Sequence, residues 1–430
     1  MSLPTLSRQP GFLARLPKRY TLIALAVLAT FICYIDRVNI AVAIIPMQEY
    51  FGWDNETKGQ VLSSFFIGYM LFQVPSGWLA RKHGGRILLG IAVLWWSVMT
   101  ILTPPAALLA FPLLILSRIL MGMGEAAMFP AAYDLYSRWV PERERSRAIA
   151  LLLSGIPIGT LFALTVTGWI VSQYGWPSVF YIFGASGILF TVVWFAAAYN
   201  SPAEHPTISA EEKNLLASVA AKTAGDGAVP WRRIFSERAV WALIINHFCS
   251  NWTFYVLLAW LPSYFRDVQN LSLTGAGLYS AAPWLTMFVM SNLGAWAADG
   301  MIARGMSVTR VRKIMQITGL LGAAVFLLLV KDATTLAGAT IFLCFACGIL
   351  ALTWAGFAPN HLEIAPRHAS VLLGVTNTAG TLPGIIGVYV TGWLIDRTGT
   401  FDAAFVLAAG VSVVGAVIWA AFGTSKKVID

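Results

Sequence analysis

The sequence predicts an all-α polytopic membrane protein with twelve transmembrane helices in two six-helix halves. Hydrophobic residues make up 58% of the 430 residues and charged residues only 11%, whereas soluble domains are about 45–50% apolar and about 25% charged. The apolar residues recur as separate stretches of roughly 20 residues, the length that crosses a ~30 Å hydrocarbon layer. One long polar segment divides these stretches six and six, which indicates two halves of similar size.

The predicted spans follow one another with short connections. We place them at residues 20–45, 58–80, 87–103, 107–137, 146–171, 177–198, 239–265, 274–299, 312–330, 334–360, 368–395 and 402–422. The predicted organisation is a tail at 1–19, a first half at 20–198, a linker at 199–238, a second half at 239–422 and a tail at 423–430. In the linker, Ser209 and Glu212 fit a capping box. We therefore expect a short amphipathic helix there, tethering the halves.

The distribution of basic residues predicts the orientation in the membrane. The formal net charge is +9, which in a soluble protein would suggest binding to nucleic acid. If both termini are cytoplasmic, 23 of the 29 Lys and Arg residues fall in cytoplasmic segments and four in outer loops. This bias follows the positive-inside rule. We therefore predict cytoplasmic termini, a lipid bilayer as the surroundings and no nucleic-acid partner.

Patterns of catalytic or metal-binding residues are weak. The four cysteines all fall within predicted spans, so we expect no disulfide framework, and Cys344 and Cys347 lack partners for a metal site. No nucleophile–base pairing or phosphate-binding loop rises above chance. We therefore predict that the protein is not an enzyme and that it needs no cofactor or metal.

An internal repeat relates the two halves. The segment VTGWIVSQYG (166–175), which ends the fifth span, matches VTGWLIDRTG (390–399), which ends the eleventh, at five of ten positions. The equivalent ends keep the same orientation, so the repeat is parallel. Parallel repeats of six-helix units place a substrate site near the bilayer midplane, between the halves. Chance similarity between glycine-rich helix ends is the alternative.

Four ionisable residues interrupt two of the predicted spans. Asp36 and Arg37 are adjacent in the first span, and Arg118 and Glu125 are seven residues apart in the fourth, which places the latter two about 20° apart on one helical face. A charge at the centre of a membrane helix costs about 2.5–3.5 kcal/mol, and two acids with two arginines sum to zero. We therefore expect these side chains to line an aqueous cavity or to pair with one another.

The chemistry of these four residues predicts divided roles. Arg37 and Arg118 stay protonated and present forked donors that suit a carboxylate or phosphate. Asp36 and Glu125 can take up and release a proton. A proton on a carboxylate would free an arginine for an incoming anion, so one site would bind proton and anion together. An ion pair that only clamps the first and fourth helices together is the structural alternative.

Neutral polar and aromatic residues near midspan are further candidates for contact with a hydroxyl-rich ligand. They are Tyr34, Asn39 and Tyr69 in the first half, and His247, Asn251, Trp354 and Asn377 in the second. Packing is the alternative for the aromatic residues in particular. No ionised pair comparable to that of the first half occurs in the second. We therefore expect the first half to hold the charges and the second to supply shape and neutral hydrogen bonds.

Four segments resemble the anion:cation symporters of the major facilitator superfamily, a group that includes sialin, the vesicular glutamate transporters and bacterial galactonate and related sugar-acid transporters. The segments are YIDRVNIAV in span one, SRILMGMGEAAMFPA in span four, HFCSNWTFYVLLAWLPSYF in span seven and NHLEIAPRHASVLLGVTNTAGTLPGIIG across spans ten and eleven. The resemblance runs nearly end to end. It implies the twelve-helix fold of that superfamily, with alternating access to a central site.

The resemblance also implies roles for individual residues. Asp36 and Glu125 match the proton-coupling pair of the bacterial sugar-acid members, and Arg37 and Arg118 match the residues that hold the substrate carboxylate. Positions that contact the sugar acid in those members are matched here by four residues: Tyr34, Tyr69, Trp354 and Asn377. His247 stands where galactonate transporters carry Gln. Met121 occupies a position that is acidic in sialin-like animal members, so the coupling machinery resembles the bacterial type although the second half resembles sialin.

The sequence therefore predicts a proton-coupled symporter that imports an organic anion, most simply a sugar acid such as an aldonate, a uronate or a sialic acid. An anion exchanger for organic anions or phosphate compounds, without proton coupling, is the first alternative. A non-transporting sensor is the second. We expect a monomer in a bacterial inner membrane, with protons and a small organic anion as its partners.

Overall fold

A computed structural model describes residues 17–220 and 230–429. Within these residues the chain folds into helices joined by short connections, without any strand. The predicted N-terminal tail lies almost entirely outside the described residues, as do residues 221–229 of the predicted linker and residue 430 of the C-terminal tail.

The first half forms six spans. Its helices are α1 (Lys18–Phe51), α2 (Asn55–His83), α3 (Gly85–Leu109), α4 (Phe111–Glu125), α5 (Met128–Trp139), α6 (Glu142–Tyr174) and α7 (Trp176–Ala197). The fourth span is broken between α4 and α5, at Ala126 and Ala127, immediately after the ionisable residue Glu125.

The linker and the second half follow. The linker carries a short 3₁₀ turn (Pro202–Glu204) and the helices α8 (Ala210–Ala220) and α9 (Trp231–Ser236). The second half contains α10 (Arg238–Asp267), α11 (Leu273–Ala303), α12 (Val308–Val330), α13 (Leu336–Leu350), α14 (Thr353–Gly356), α15 (Asn360–Ile364), α16 (Ala369–Thr398) and α17 (Asp402–Phe422). The tenth span is the interrupted unit α13–α15.

The described residues form twelve spans in this arrangement. Ten of them are long and apolar enough to cross a membrane by length and composition, and α2 and α11, with 29 and 31 residues, are the other two. Successive spans alternate in direction, so both ends of the described chain lie on one face, which we call the terminal face. We call the other side, where α1 ends and α2 begins, the opposite face. The predicted fold class is confirmed.

The structural repeat is longer than the sequence match. Helices α4 and α13 are both 15 residues long, and their first residues, Phe111 and Leu336, lie 225 positions apart. Each is followed by a break in its span. The fourth and tenth spans therefore share an interruption near their middle, although their sequences at that point differ.

The halves contact each other on the opposite face through glycines in equivalent places. A Cβ added to Gly59 of α2 would lie 3.2 Å from the carbonyl oxygen of Tyr389 in α16. In the other half, a Cβ added to Gly277 of α11 would overlap the carbonyl oxygen of Leu164 in α6. Small residues permit such close approach of helices in lipid. Two related contacts, α2 with α16 and α6 with α11, thus close the opposite face.

The ten-residue repeat takes part in the same closure. Gly168, from its first copy, packs against the backbone of Leu273 and Thr274 at the start of α11. Gly392, from the second copy, packs against the backbone of Asn55 at the start of α2. The repeated sequence therefore corresponds to a repeated contact between the halves, which chance similarity would not produce.

The linker docks on the first span through Glu212. The backbone N–H of Glu212 donates to Ser209 Oγ at 3.2 Å, as in a capping box. The Glu212 carboxylate, which is only 5% exposed, instead accepts from the backbone N–H groups of Lys18 at 2.8 Å and Arg19 at 3.1 Å, and from Arg19 Nη1 at 3.2 Å. A carboxylate is favourable there because the N-terminus of α1 carries a partial positive charge.

Replacing Glu212 with Gln should lower thermal stability without altering transport. The variant keeps the size of the side chain but loses charge-assisted hydrogen bonds, which are worth about 1.5–3 kcal/mol each. Thermal unfolding in detergent would measure the change. Glu211→Gln is the matched control, since Glu211 is exposed on the same helix. Equal melting temperatures for both variants would contradict the docking role.

Candidate substrate and proton site

Helices α2 and α4 approach closely enough to build one side of the site. A Cβ added to Gly122 of α4 would lie 2.9 Å from the backbone nitrogen of Tyr69 in α2, and one added to Gly68 of α2 would lie 3.1 Å from Cα of Ile119. Larger residues at either position would push the two helices apart. The glycines therefore bring the aromatic face of α2 against the charged face of α4.

Arg37 forms a buried ion pair with Glu125 inside an aromatic enclosure. Arg37 Nε donates to Glu125 Oε2 at 2.8 Å, and both side chains are at most 4% exposed. The guanidinium lies 4.7 Å from the ring centre of Tyr34, 5.0 Å from that of Phe65 and 4.8 Å from that of Tyr69. Cation–π contacts of this kind stabilise a desolvated guanidinium. The predicted pairing of spans one and four is therefore present.

Arg118 has no carboxylate within ion-pair distance among the described residues. Its side chain is 1% exposed, and its guanidinium lies 5.6 Å from the ring centre of Phe65. Its Nε has no hydrogen-bond partner in the part of the chain that the structure describes. Nη1 donates to the sulfur of Met121 at 3.0 Å, and a thioether is only a weak acceptor. Phe65 thus lies beside both arginines, and Arg118 is left with donors that an anion could satisfy.

Asp36 occupies a different place from the other three charges. It is fully buried, and its Oδ2 accepts from Trp96 Nε1 of α3 at 3.1 Å. It forms no ion pair within the described part of the chain, although Glu125 and Arg118 are close enough to interact with it electrostatically. The expectation that all four charges either line a cavity or pair with each other is wrong for Asp36. Adjacent residues of a helix point about 100° apart, so Asp36 and Arg37 face different surroundings.

A small cavity lies between the two arginines and the second half. Its volume is about 20 Å³, and Arg37 and Arg118 line it together with Phe65, Phe66 and, from α10, Tyr255, Leu258 and Ala259. Such a space holds about one water molecule. The cavity therefore marks where the two halves meet at the charges, and it must widen before an organic anion can enter.

The four candidates of the second half do not line this cavity. Asn251 donates to the carbonyl oxygen of Gly380 at 2.8 Å, and the His247 ring packs 4.8 Å from that of Phe357. Since α10 rises about 1.5 Å per residue, Asn251 and His247 lie about 6 and 12 Å from Tyr255 toward the terminal face. Trp354, 38% exposed, and the half-buried Asn377 lie on α14 and α16.

A larger basin of about 560 Å³ opens on the opposite face between the halves. Its lining includes three acidic residues, Glu49, Asp267 and Asp402, and one basic residue, Lys331. This balance of charge disfavours an anion. We therefore place anion binding at the central arginines and regard the basin as part of the surface outside the closed contacts.

The family model described as the Major Facilitator Superfamily matches residues 26–388. The chain belongs to the Major Facilitator Superfamily. The predicted membership is confirmed, and it agrees with two six-helix halves that meet around buried charges.

Curated relatives of this superfamily protein are named as anion transporters. The chain is 44% identical to the sodium-dependent phosphate transport protein 1, chloroplastic, of Arabidopsis thaliana, covering 96% of this chain and 81% of the relative. It is 42% identical to the chloroplastic ascorbate transporter of Arabidopsis thaliana (96% and 76% covered) and 36% identical to vesicular glutamate transporter 3 of Danio rerio (96% and 74%). The protein is therefore a transporter and not an enzyme.

Solved structures of other superfamily members share the fold. A D-xylose–proton symporter superposes with a TM-score of 0.75 at 16% identity, covering 95% of this chain and 99% of that chain. A bacterial homologue of the human lysosomal transporter Spinster, in an inward-facing occupied conformation, gives 0.71 at 18% identity, with 94% and 95% covered. At such low identity these similarities establish the architecture only.

Proposed function

We propose that the protein is a proton-coupled symporter that imports an organic anion of the sugar-acid class, an aldonate, a uronate or a sialic acid, by alternating access. The observation that carries the proposal is the pair of buried arginines at the central cavity, of which Arg37 is neutralised by Glu125 and Arg118 is not paired with a carboxylate. A buried cation with unsatisfied donors is costly, and the carboxylate of a sugar acid would satisfy it.

The charge balance of the site explains why anion and proton would bind together. Without substrate, the two arginines are balanced by Asp36 and Glu125. An added anion leaves one excess negative charge in a desolvated site, which is unfavourable. A proton taken up at Glu125 removes that excess and releases Arg37 Nε, now 2.8 Å from Oε2, to join Arg118 on the substrate carboxylate. Asp36 is the second proton carrier, held by Trp96.

The second half would recognise the rest of the molecule. In the proposal, Tyr34 and Tyr69 border the carboxylate, while His247, Asn251, Trp354 and Asn377 offer polar or aromatic contacts to hydroxyl groups along the path toward the terminal face. The cavity of about 20 Å³ admits no sugar acid, so the halves must separate. Rocking about the contacts on the opposite face would widen it, with a single chain as the transporting unit.

Uptake into proteoliposomes under an imposed pH gradient tests the proposal. With the medium acidic and the lumen neutral, we expect accumulation of at least one sugar acid, abolished by a protonophore. A panel of aldonates, uronates, sialic acid, phosphate, ascorbate and glutamate would define the anion. The last three are included because they appear in the names of relatives. Lack of acid-driven uptake for every sugar acid tried would contradict sugar-acid symport, and flux of any anion would exclude a non-transporting sensor.

Replacing both acids separates symport from exchange. For Asp36→Asn combined with Glu125→Gln, we expect loss of gradient-driven accumulation, because neither side chain can carry a proton, with counterflow exchange retained. Accumulation and counterflow would be measured in the same vesicles. An anion exchanger without proton coupling would behave alike before and after the double replacement, and that result would favour the alternative.

We further propose a bacterial inner membrane as the location, because Asp36 and Glu125 match the coupling pair of bacterial sugar-acid transporters. The basic residues on the terminal face support cytoplasmic termini. Several curated relatives are named as chloroplastic, so the orientation is tested in a way that does not depend on the compartment. Proteolysis of the C-terminal segment in right-side-out and inverted vesicles would give the orientation; cleavage only in right-side-out vesicles would contradict it.

A further inference from the structure

One face of α1 carries buried polar atoms that have no partners. Asp36 and Asn39 are both 0% exposed. Trp96 Nε1 donates to Oδ2 of Asp36, but Oδ1 of Asp36 and both Oδ1 and Nδ2 of Asn39 have no hydrogen-bond partner within residues 17–220 and 230–429. Buried polar groups are nearly always satisfied, and exceptions often indicate an ordered water or ion. Three such atoms within one helical turn therefore point to a ligand.

This face is separate from the substrate cavity. Arg37, Val38, Ile40 and Ala41 line the cavity, and residues at these positions share one side of a helix. Asp36 and Asn39, three positions apart, share another side, directed into the interior of the first half. The unsatisfied atoms are therefore on the reverse of the helix that presents Arg37 to the anion.

The donor and acceptor character of the atoms identifies the ligand. Residues three apart on a helix have Cβ atoms about 5–6 Å apart, so the ends of their side chains can approach to the ~4.5 Å that two hydrogen bonds of about 2.8 Å to one water span. Water can accept from Asn39 Nδ2 and donate to Asp36 Oδ1. Sodium would satisfy the two oxygens but would leave the Nδ2 donor unpaired. A water with these two bonds satisfies Asp36 Oδ1 and Asn39 Nδ2 and leaves Asn39 Oδ1 free, whereas sodium would lie beside the Nδ2 donor, which repels a cation.

We propose that Asn39 is a positioning residue that holds a water molecule against Asp36, and that this water delivers the coupling proton from behind α1, apart from the anion path. The inference rests on the proposed symport. The ionisable groups near Asp36 are Glu125 and Arg118 from α4 and Cys33 from α1, and Trp96 is the contact from α3. A separate proton entry would let Asp36 change protonation while Arg37 and Arg118 hold substrate.

The test compares Asn39→Leu, Asn39→Ser and Thr30→Val with the intact transporter. Leu matches Asn in size and removes the water site, whereas Ser keeps one donor and one acceptor. Thr30 is the control, because it is also buried on α1 but its hydroxyl is already satisfied by the carbonyl of Ala26 at 3.1 Å. Asn39→Leu should shift the pH dependence of counterflow by about one unit, a tenfold change in proton affinity, and Asn39→Ser should restore most of it.

Infrared difference spectroscopy between acidic and neutral pH gives a readout that needs no transport. The carboxyl C=O band of Asp36 is identified by its loss in Asp36→Asn. We expect this band to move in Asn39→Leu, and a water O–H band that shifts in H₂¹⁸O to disappear with it. An unmoved C=O band in Asn39→Leu, or thermal stabilisation by sodium that depends on Asn39, would overturn the water site. Failed uptake with a shifted band would refute symport and leave the site intact.

Discussion

Replacing Arg118 with Gln should strongly weaken anion binding while leaving the empty protein about as stable as before. Among the described residues, Arg118 is buried without a carboxylate in ion-pair distance, so the change removes a desolvated charge without breaking an ion pair, and a proton on Asp36 would keep the site neutral. In the bound state the same change removes the charge-assisted hydrogen bonds to the anion. Truncating one member of a buried charge pair costs about 2–5 kcal/mol, which corresponds to roughly a 30- to 5,000-fold loss of affinity.

Arg312 provides a control with the opposite expected behaviour. It is also a buried arginine, 9% exposed, but its Nε and Nη2 donate to Glu363 Oε1 at 2.9 and 2.8 Å and its Nη1 donates to the carbonyl of Ala355. Arg312→Gln should lower the melting temperature and keep anion affinity. Ligand-induced thermal stabilisation measures both quantities in one experiment. Affinity retained in Arg118→Gln would remove Arg118 from the binding site.

Much of the architecture could be predicted from the sequence because the bilayer imposes it. Apolar stretches of the right length predict the spans, and the basic loops predict their orientation across the membrane. The break in the fourth span has a signal in Pro130, which lacks the N–H that would bond the carbonyl of Ala126, and that carbonyl accepts from Ser76 instead. The break at Ala351 in the tenth span has no such signal. The equal lengths of α4 and α13 show that both breaks belong to the internal repeat. The ten-residue match indicates the repeat only in spans five and eleven.

The site is predictable in its charges and less so in its surroundings. Ionisable residues in a membrane span are conspicuous, so the sequence alone identifies Arg37, Arg118 and Glu125 as candidates. Trp96 carries no such signal, because it is one of 17 tryptophans in an apolar chain. The helical period alone could have placed Asp36 with Asn39 and away from Arg37. An argument from charge alone, which ignores the 100° between adjacent helical residues, predicts one pocket for all four charged side chains.

Closure of the opposite face depends on glycines, and Gly277→Leu should prevent it. A Cβ there would overlap the carbonyl oxygen of Leu164 and lie 3.3 Å from its carbonyl carbon. Both are backbone atoms of the other half, so no side-chain rotation relieves the overlap. Overpacking of this kind costs about 1–3 kcal/mol, and it applies only when the halves touch. The conformation open to the opposite face should become roughly 5- to 150-fold more populated.

Distances between spin labels at positions 53 and 400, on opposite-face loops of the two halves, would measure this shift. Gly277→Leu should lengthen the main distance and reduce uptake, because a transporter held open on one side cannot complete its cycle. Gly300→Leu is the matched control, since Gly300 lies on the same helix α11 with no atom within 4 Å of an added Cβ. An unchanged distance in Gly277→Leu would mean that the α6–α11 contact follows closure without governing it, and that the α2–α16 contact at Gly59 decides which face is open.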